Sequence, residues 1–72
     1  MTTVREAWAG CAARLKAAGI RAAERESEDL VLAALGGGRP GLWARMGEPL
    51  APGAGSRLDE LSNRRAAREP LQ

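Results

Sequence analysis

The sequence predicts an all-α protein that folds as a small antiparallel bundle of about four to five helices. Apolar residues recur at the spacing of three and four that places them on one face of a helix. Glycines and prolines divide the chain into segments of helix length. β-Branched residues are scarce, with two valines, one isoleucine and two threonines among 72 residues, so no segment favours a strand. Short connections between consecutive helices favour antiparallel packing.

The first helix is predicted from Val4 to Ala18. Thr3 and Glu6 have the spacing of a capping box, in which the threonine hydroxyl accepts from an amide one turn into the helix and the glutamate accepts from the cap amide. Gly19 supplies the left-handed position that ends a helix. One apolar stripe runs along this segment at steps of four and three residues; it comprises Val4, Trp8, Cys11, Leu15 and Ala18.

The second helix is predicted from about Ala22 to Leu35, a segment without glycine or proline. Its first half is acidic, which interacts favourably with the amino-terminal end of the helix dipole; the residues are Glu24, Glu26, Glu28 and Asp29. Such a cluster could hold a divalent cation, but successive positions point in different directions around a helix. Solvated helix surface is therefore the preferred interpretation.

A short third helix is predicted from Pro40 to Met46, because proline fits the first turn of a helix. It would bring Leu42, Trp43 and Met46 onto one face, so that Trp43 and Trp8 fill the core as its bulkiest side chains. Five glycines and prolines at positions 47 to 55 then predict an irregular connection.

The fourth helix is predicted from Ser56 to about Arg68, with Leu58 and Leu61 on its buried side. Pro70 closes it, because the residue before a proline disfavours helical backbone angles.

The composition argues against a self-contained active site. Histidine is absent, and it is the usual proton shuttle at neutral pH and the commonest transition-metal ligand. The single cysteine, Cys11, cannot close an internal disulfide, which suits a reducing compartment. Its place on the apolar stripe favours a buried small hydrophobe over a nucleophile. We therefore predict no catalytic, cofactor-binding or metal-binding residue in this chain.

Three glycines, Gly36, Gly38 and Gly41, match the spacing of a dinucleotide-binding loop. That loop requires a preceding strand and a following helix that receives the pyrophosphate. Because a helix precedes the glycines here, a helix stop and flexible connection is the preferred interpretation.

The charge is nearly balanced, with eleven basic and nine acidic residues and a net charge of +2. A basic stretch near the end of the chain could be a solvated face, a contact for an acidic protein surface or a nucleic-acid site; it comprises Arg57, Arg64, Arg65 and Arg68. Nucleic acid is disfavoured, because acidic residues interrupt the stretch and no aromatic side chain lies within it to stack on bases. No apolar run reaches the length of a membrane span, and we expect a cytoplasmic protein.

The order of these features resembles the amino-terminal domain of the PrmC or HemK family, the peptide chain release factor glutamine methyltransferases. The most specific stretch, Arg64-Arg65-Ala66-Ala67-Arg68-Glu69-Pro70-Leu71, is similar to the family's R-R-x-x-G-E-P-L segment. Arg68 stands where the family usually has glycine, and Glu26 stands where it usually has aspartate. The other matching features are Gly19-Ile20, Glu26-Ser27-Glu28, Leu30-Val31, Gly36 and Leu58-Asp59-Glu60-Leu61.

The resemblance implies a helical substrate-recognition domain over residues 1–68, followed at 69–72 by the start of a linker to a catalytic domain that this chain lacks. Members of the family use S-adenosylmethionine to methylate the glutamine of the GGQ motif in bacterial class I release factors. The cofactor would bind in that absent domain. The expected partners are the release factor and the protein's own catalytic domain, and the candidate contacts are Arg57, Arg64, Arg65 and Arg68.

Two other functions stay open at this point. A freestanding interaction module or homodimer is one, because a core half made of alanine leaves little apolar surface to stabilise a monomer. A small basic nucleic-acid binder is the other.

Overall fold

The computed structural model describes residues 2–67 and contains four helices in that range. They are α1 (Val4–Ala17), α2 (Ala23–Leu35), α3 (Arg39–Ala44) and α4 (Pro52–Ala66). Within the same range no strand forms, and Thr3 and Pro49 form an isolated antiparallel bridge. The all-α prediction is confirmed, with four helices in the described part of the chain.

The core lies where α1, α2 and α4 pack against one another. Its buried members are mostly aliphatic, and α3 contributes only Leu42 to them. Two buried serines, Ser27 of α2 and Ser62 of α4, lie within this apolar interior. The buried apolar residues are Val4, Cys11, Leu15, Ala23, Leu30, Val31, Leu42 and Leu58.

The amino terminus of α1 is closed by the predicted capping box. The Glu6 amide donates to Thr3 Oγ1 at 3.2 Å, and the Thr3 amide donates to Glu6 Oε1 at 2.9 Å. The two remaining amides of the first turn, those of Val4 and Arg5, donate to the carbonyls of Glu48 and Met46 at 2.9 and 3.0 Å. Every first-turn amide that lacks a helical partner is therefore satisfied.

Replacing Thr3 with alanine should lower the free energy of unfolding by about 1 kcal/mol, because the Glu6 amide loses its acceptor. Urea titration followed by circular dichroism measures the change. Thr2→Ala is the matched control, since Thr2 is exposed and the variant keeps the Thr2 backbone carbonyl that accepts from the Leu50 amide. Equal losses in the two variants would contradict the capping assignment.

The carboxyl terminus of α1 ends as the sequence predicts. Gly19 has a φ of 84°, in the left-handed region, and its amide donates to the Lys16 carbonyl at 2.9 Å. The Ile20 amide donates to the Leu15 carbonyl at 3.1 Å. These two bonds form a Schellman motif, which directs the chain back towards α2.

α1 and α2 lie within one residue of their predicted bounds, but α3 ends at Ala44, two residues before the predicted Met46, and both ends of α4 differ from the prediction. α4 begins at Pro52, four residues before the predicted Ser56, and Gly53 and Gly55 lie inside it. Glycine suits position 55 of this helix, because an added Cβ would lie 3.2 Å from Leu50 Cδ2, closer than an ordinary van der Waals contact. At the other end α4 stops at Ala66, short of the predicted Arg68; residues 68–72, with the Pro70 stop, lie outside the described range.

The prediction that Trp43 fills the core is wrong. Its neighbour Leu42 is only 2% exposed, whereas Trp43 is 61% exposed. Adjacent residues of a helix point about 100° apart, so the face of α3 that buries Leu42 leaves Trp43 turned towards solvent. Trp43 instead contacts Trp8, with ring centroids 5.4 Å apart and an interplanar angle of 55°.

Candidate interaction surface

The acidic residues of α2 connect this helix to α3. Arg39, the first residue of α3, donates from Nε to Glu28 Oε2 at 2.8 Å and from Nη2 to Asp29 Oδ1 at 3.0 Å. The Glu28 side chain is only 17% exposed. One guanidinium thus holds two carboxylates of α2 and fixes the start of α3 against it.

The other two acidic residues pair with α1 and α4. Glu24 Oε2 accepts from Lys16 Nζ at 3.0 Å on the surface, and Glu26 binds Arg65 with a side chain only 18% exposed. The solvated surface predicted for this cluster is therefore wrong for Glu26 and Glu28. Within residues 2–67 no group of three or more cysteine, aspartate or glutamate side chains is placed to hold a metal ion.

The candidate contact Arg65 is occupied within the fold. Its Nε donates to Glu26 Oε1 at 2.6 Å and its Nη2 donates to Glu26 Oε2 at 3.3 Å, the two-point geometry that suits a guanidinium and a carboxylate. This hydrogen bonding raises the pKa of the Arg65 guanidinium above its ordinary value. Arg65 therefore links α4 to α2.

The remaining candidate arginines have a different setting. Arg57 and Arg64 are both exposed on α4, and they lie seven residues apart, about two helical turns, on the same side of the helix. Arg57 has no ion pair among the described residues. Arg68 lies outside the described range. Of the predicted contacts, Arg57 and Arg64 therefore lie on the same exposed side of α4, whereas Arg65 binds Glu26 within the fold.

Cys11 is buried, as predicted, and accepts a hydrogen bond from the Ser62 hydroxyl at 3.0 Å. Burial raises the pKa of the Cys11 thiol, because it disfavours the thiolate; the Ser62 hydrogen bond and the charge of Arg14 act in the opposite direction with smaller effect. A buried thiol with a raised pKa is a poor nucleophile.

Trp8 is fixed by a hydrogen bond that the sequence analysis missed. Its Nε1 donates to the hydroxyl of Ser27 at 2.9 Å, and that hydroxyl donates to the Glu24 carbonyl at 2.7 Å. The available signal in the sequence was the position of Ser27, three and four residues before Leu30 and Val31, which places it on the apolar face of the second helix. A serine hydroxyl is buried on such a face only when it is hydrogen-bonded.

Two grooves flank α1. The first, between α1 and α4, has a volume of about 370 Å³ and includes Gly10, Cys11 and Arg14 in its lining. The second, which we name the Trp8 groove, has a volume of about 270 Å³ and is lined by Arg5, Trp8, Ala9, Ala12, Glu24 and Met46. With 3.6 residues per turn, the α1 residues of the two grooves lie on opposite sides of that helix.

The glycines that match a dinucleotide-binding spacing serve as a helix stop. They follow α2, not a strand, and Gly36 and Gly37 have φ values of 81° and 83°. A cofactor loop of that kind needs the strand, so these residues do not fit S-adenosylmethionine or a dinucleotide.

The fold and its surface define a small helical bundle domain, with helices joined by ion pairs and an aromatic pair at one edge. The family model described as the PrmC N-terminal domain matches residues 6–72, and the chain belongs to this family. A release factor glutamine methyltransferase from Moorella thermoacetica is 41% identical over 70 residues. The match covers 97% of this chain and 25% of the relative, so the chain spans about a quarter of that protein's length.

No solved structure gave a significant match to the chain. Across residues 2–67, no helix combines the length and apolar character that crossing a bilayer requires.

Proposed function

We propose that the chain is the non-catalytic domain through which a cytoplasmic release factor glutamine methyltransferase recruits its substrate, a bacterial class I release factor. The observation that carries this proposal is the family match over residues 6–72, together with the relative named for that activity. The proposed domain covers residues 1–68, and residues 69–72 begin a linker to the catalytic part of the parent protein.

The chemistry is assigned to that catalytic part. S-adenosylmethionine would supply the methyl group there, and none of the residues described here has a role in binding it. What this chain contributes is a rigid surface, since the helices are held together by the core and by the ion pairs of α2.

Charge supports the exposed arginines of α4 as part of the release factor contact. Arg57 and Arg64 share one side of α4, and cationic side chains accelerate and orient the approach of an acidic surface. Arg65 is less exposed than these two residues, and its guanidinium binds Glu26 of α2.

Reversing both exposed charges, in Arg57→Glu/Arg64→Glu, should weaken binding of a purified class I release factor at least tenfold. Isothermal titration calorimetry measures the dissociation constant. The control is Arg21→Glu/Arg25→Glu, which changes the net charge equally but at exposed positions near the start of α2. Equal weakening by both pairs would leave only a general charge effect, and unchanged affinity in the α4 pair would remove these arginines from the interface.

A further inference from the structure

Trp43 is the large apolar side chain that the described part of the fold leaves exposed. A chain with so few large apolar residues would gain stability by burying it, yet 61% of this side chain lies in solvent. Tryptophan dominates the binding energy of many protein interfaces, where it is anchored in a pocket of the partner. The exposed ring is therefore a candidate anchor for a partner.

The Trp8 groove lies next to this ring, because Trp8 contacts Trp43 and lines the groove. Ala9 and Ala12 form part of its wall, and their short side chains allow another backbone to approach closely. Met46 adds an adaptable apolar wall. Helices bind in grooves of this kind by inserting side chains from one face.

The groove is already formed before any partner binds. The Trp8 indole is fixed by Ser27, and the Met46 backbone is fixed by the amide of Arg5. A partner would therefore meet a Trp8 side chain whose conformational entropy is already largely lost, which lowers the cost of association.

The charge at the groove edge favours an acidic partner. The Arg5 side chain is exposed and has no ion pair among the described residues. The acidic residue of the groove, Glu24, is neutralised by Lys16 at 3.0 Å. The edge therefore carries a net positive charge, which a carboxylate on the partner would complement.

We infer that the Trp8 groove and Trp43 form the docking site for an amphipathic helical segment of the release factor, with apolar residues in the groove and a carboxylate against Arg5. This inference rests on the proposed function. The proposed docking site lies on one side of α1, and the groove between α1 and α4 lies on the other side. It is therefore separate from the exposed arginines of α4.

The test is titration of the 72-residue chain with a purified class I release factor. Trp43→Ala, Ala9→Arg and Arg5→Glu should each weaken binding at least tenfold, because they remove the anchor, fill the groove and reverse the edge charge. Ala13→Arg is the control, since Ala13 is an exposed residue of α1 that lines neither groove; its affinity should stay within about twofold. Thermal unfolding of each variant confirms that its fold is retained.

Fluorine NMR locates the contact independently. With fluorotryptophan in the chain and an unlabelled release factor, the Trp43 resonance, which is assigned by its absence from a Trp43→Phe sample, should shift on binding. A Trp43 resonance that binding leaves unmoved would overturn the groove assignment.

The outcomes separate the two proposals. Failure of the unmodified chain to bind the release factor overturns the proposed function and this inference with it. Binding that Trp43→Ala and Ala9→Arg leave unchanged overturns the groove assignment alone. Concentration-dependent dimerisation of the chain that Trp43→Ala abolishes, seen by analytical ultracentrifugation, would assign the groove to a second copy and also overturn the inference.

Discussion

Trp8→Ala should lower the free energy of unfolding by about 3 to 5 kcal/mol. Trp8 packs against the core, contacts the Trp43 ring and donates to Ser27. A chain of this length has a total stability of roughly 4 to 11 kcal/mol, so the loss is a large share of it. Urea titration and thermal unfolding, both followed by circular dichroism, measure the effect.

Trp8→Phe separates packing from hydrogen bonding. It keeps an aromatic ring beside Trp43 but leaves the Ser27 hydroxyl without its donor, although that hydroxyl still donates to the Glu24 carbonyl. The expected loss is at least about 1 kcal/mol, the usual net contribution of one hydrogen bond, because the smaller phenyl ring also loses part of the packing of the indole. A melting curve unchanged by Trp8→Ala would show that the assigned packing is wrong.

Leu42→Ala should be the second most damaging of these substitutions, with an expected loss of about 2 to 5 kcal/mol. Leu42 is the buried residue of α3, so its loss removes the apolar contact that holds this helix to the bundle. Trp43→Ala is the matched comparison at the next position. Its larger side chain is mostly in solvent, and the expected loss is about 1 kcal/mol, from its contact with Trp8.

The measurement is the same urea titration for both variants, with amide hydrogen exchange in α3 as a local probe. Exchange should accelerate in Leu42→Ala and stay close to that of the unmodified chain in Trp43→Ala. A larger loss of stability in Trp43→Ala than in Leu42→Ala would contradict the orientation of α3.

The sequence correctly predicts the features of the fold that depend on residues close together in the chain. The capping box of Thr3 and Glu6 and the Schellman motif at Gly19 join residues three to five positions apart, and both are confirmed. The sequence predicts the start of α4 at Ser56 and not at Pro52, because glycines normally disfavour helices and two of them lie in between. Here the contact of Leu50 with Gly55 makes the absence of a side chain useful, and that contact depends on the tertiary fold.

The roles of the residues on the candidate surface also depend on tertiary contacts that the sequence does not show. Arg64 and Arg65 are adjacent and chemically identical. Arg65 lies seven residues after Leu58 and four after Leu61, which places it on the side of the helix predicted to be buried, but this spacing does not identify its partner. Only the packing of α4 on α2 places Arg65 against Glu26, 39 residues away in sequence. Leu42 and Trp43 are also adjacent and both apolar, and only the packing of α3 on the bundle determines that Leu42 is buried and Trp43 exposed.

The two hydrogen bonds that join the start of α1 to the carbonyls of Met46 and Glu48 have a consequence for synthesis on the ribosome. The amino terminus of α1 emerges before α2 and α3, yet its Val4 and Arg5 amides receive their protein partners only after both helices and the loop after α3 have emerged. Because domains generally fold as units during synthesis, the first turn of α1 is completed only once α3 and the loop that follows it are available.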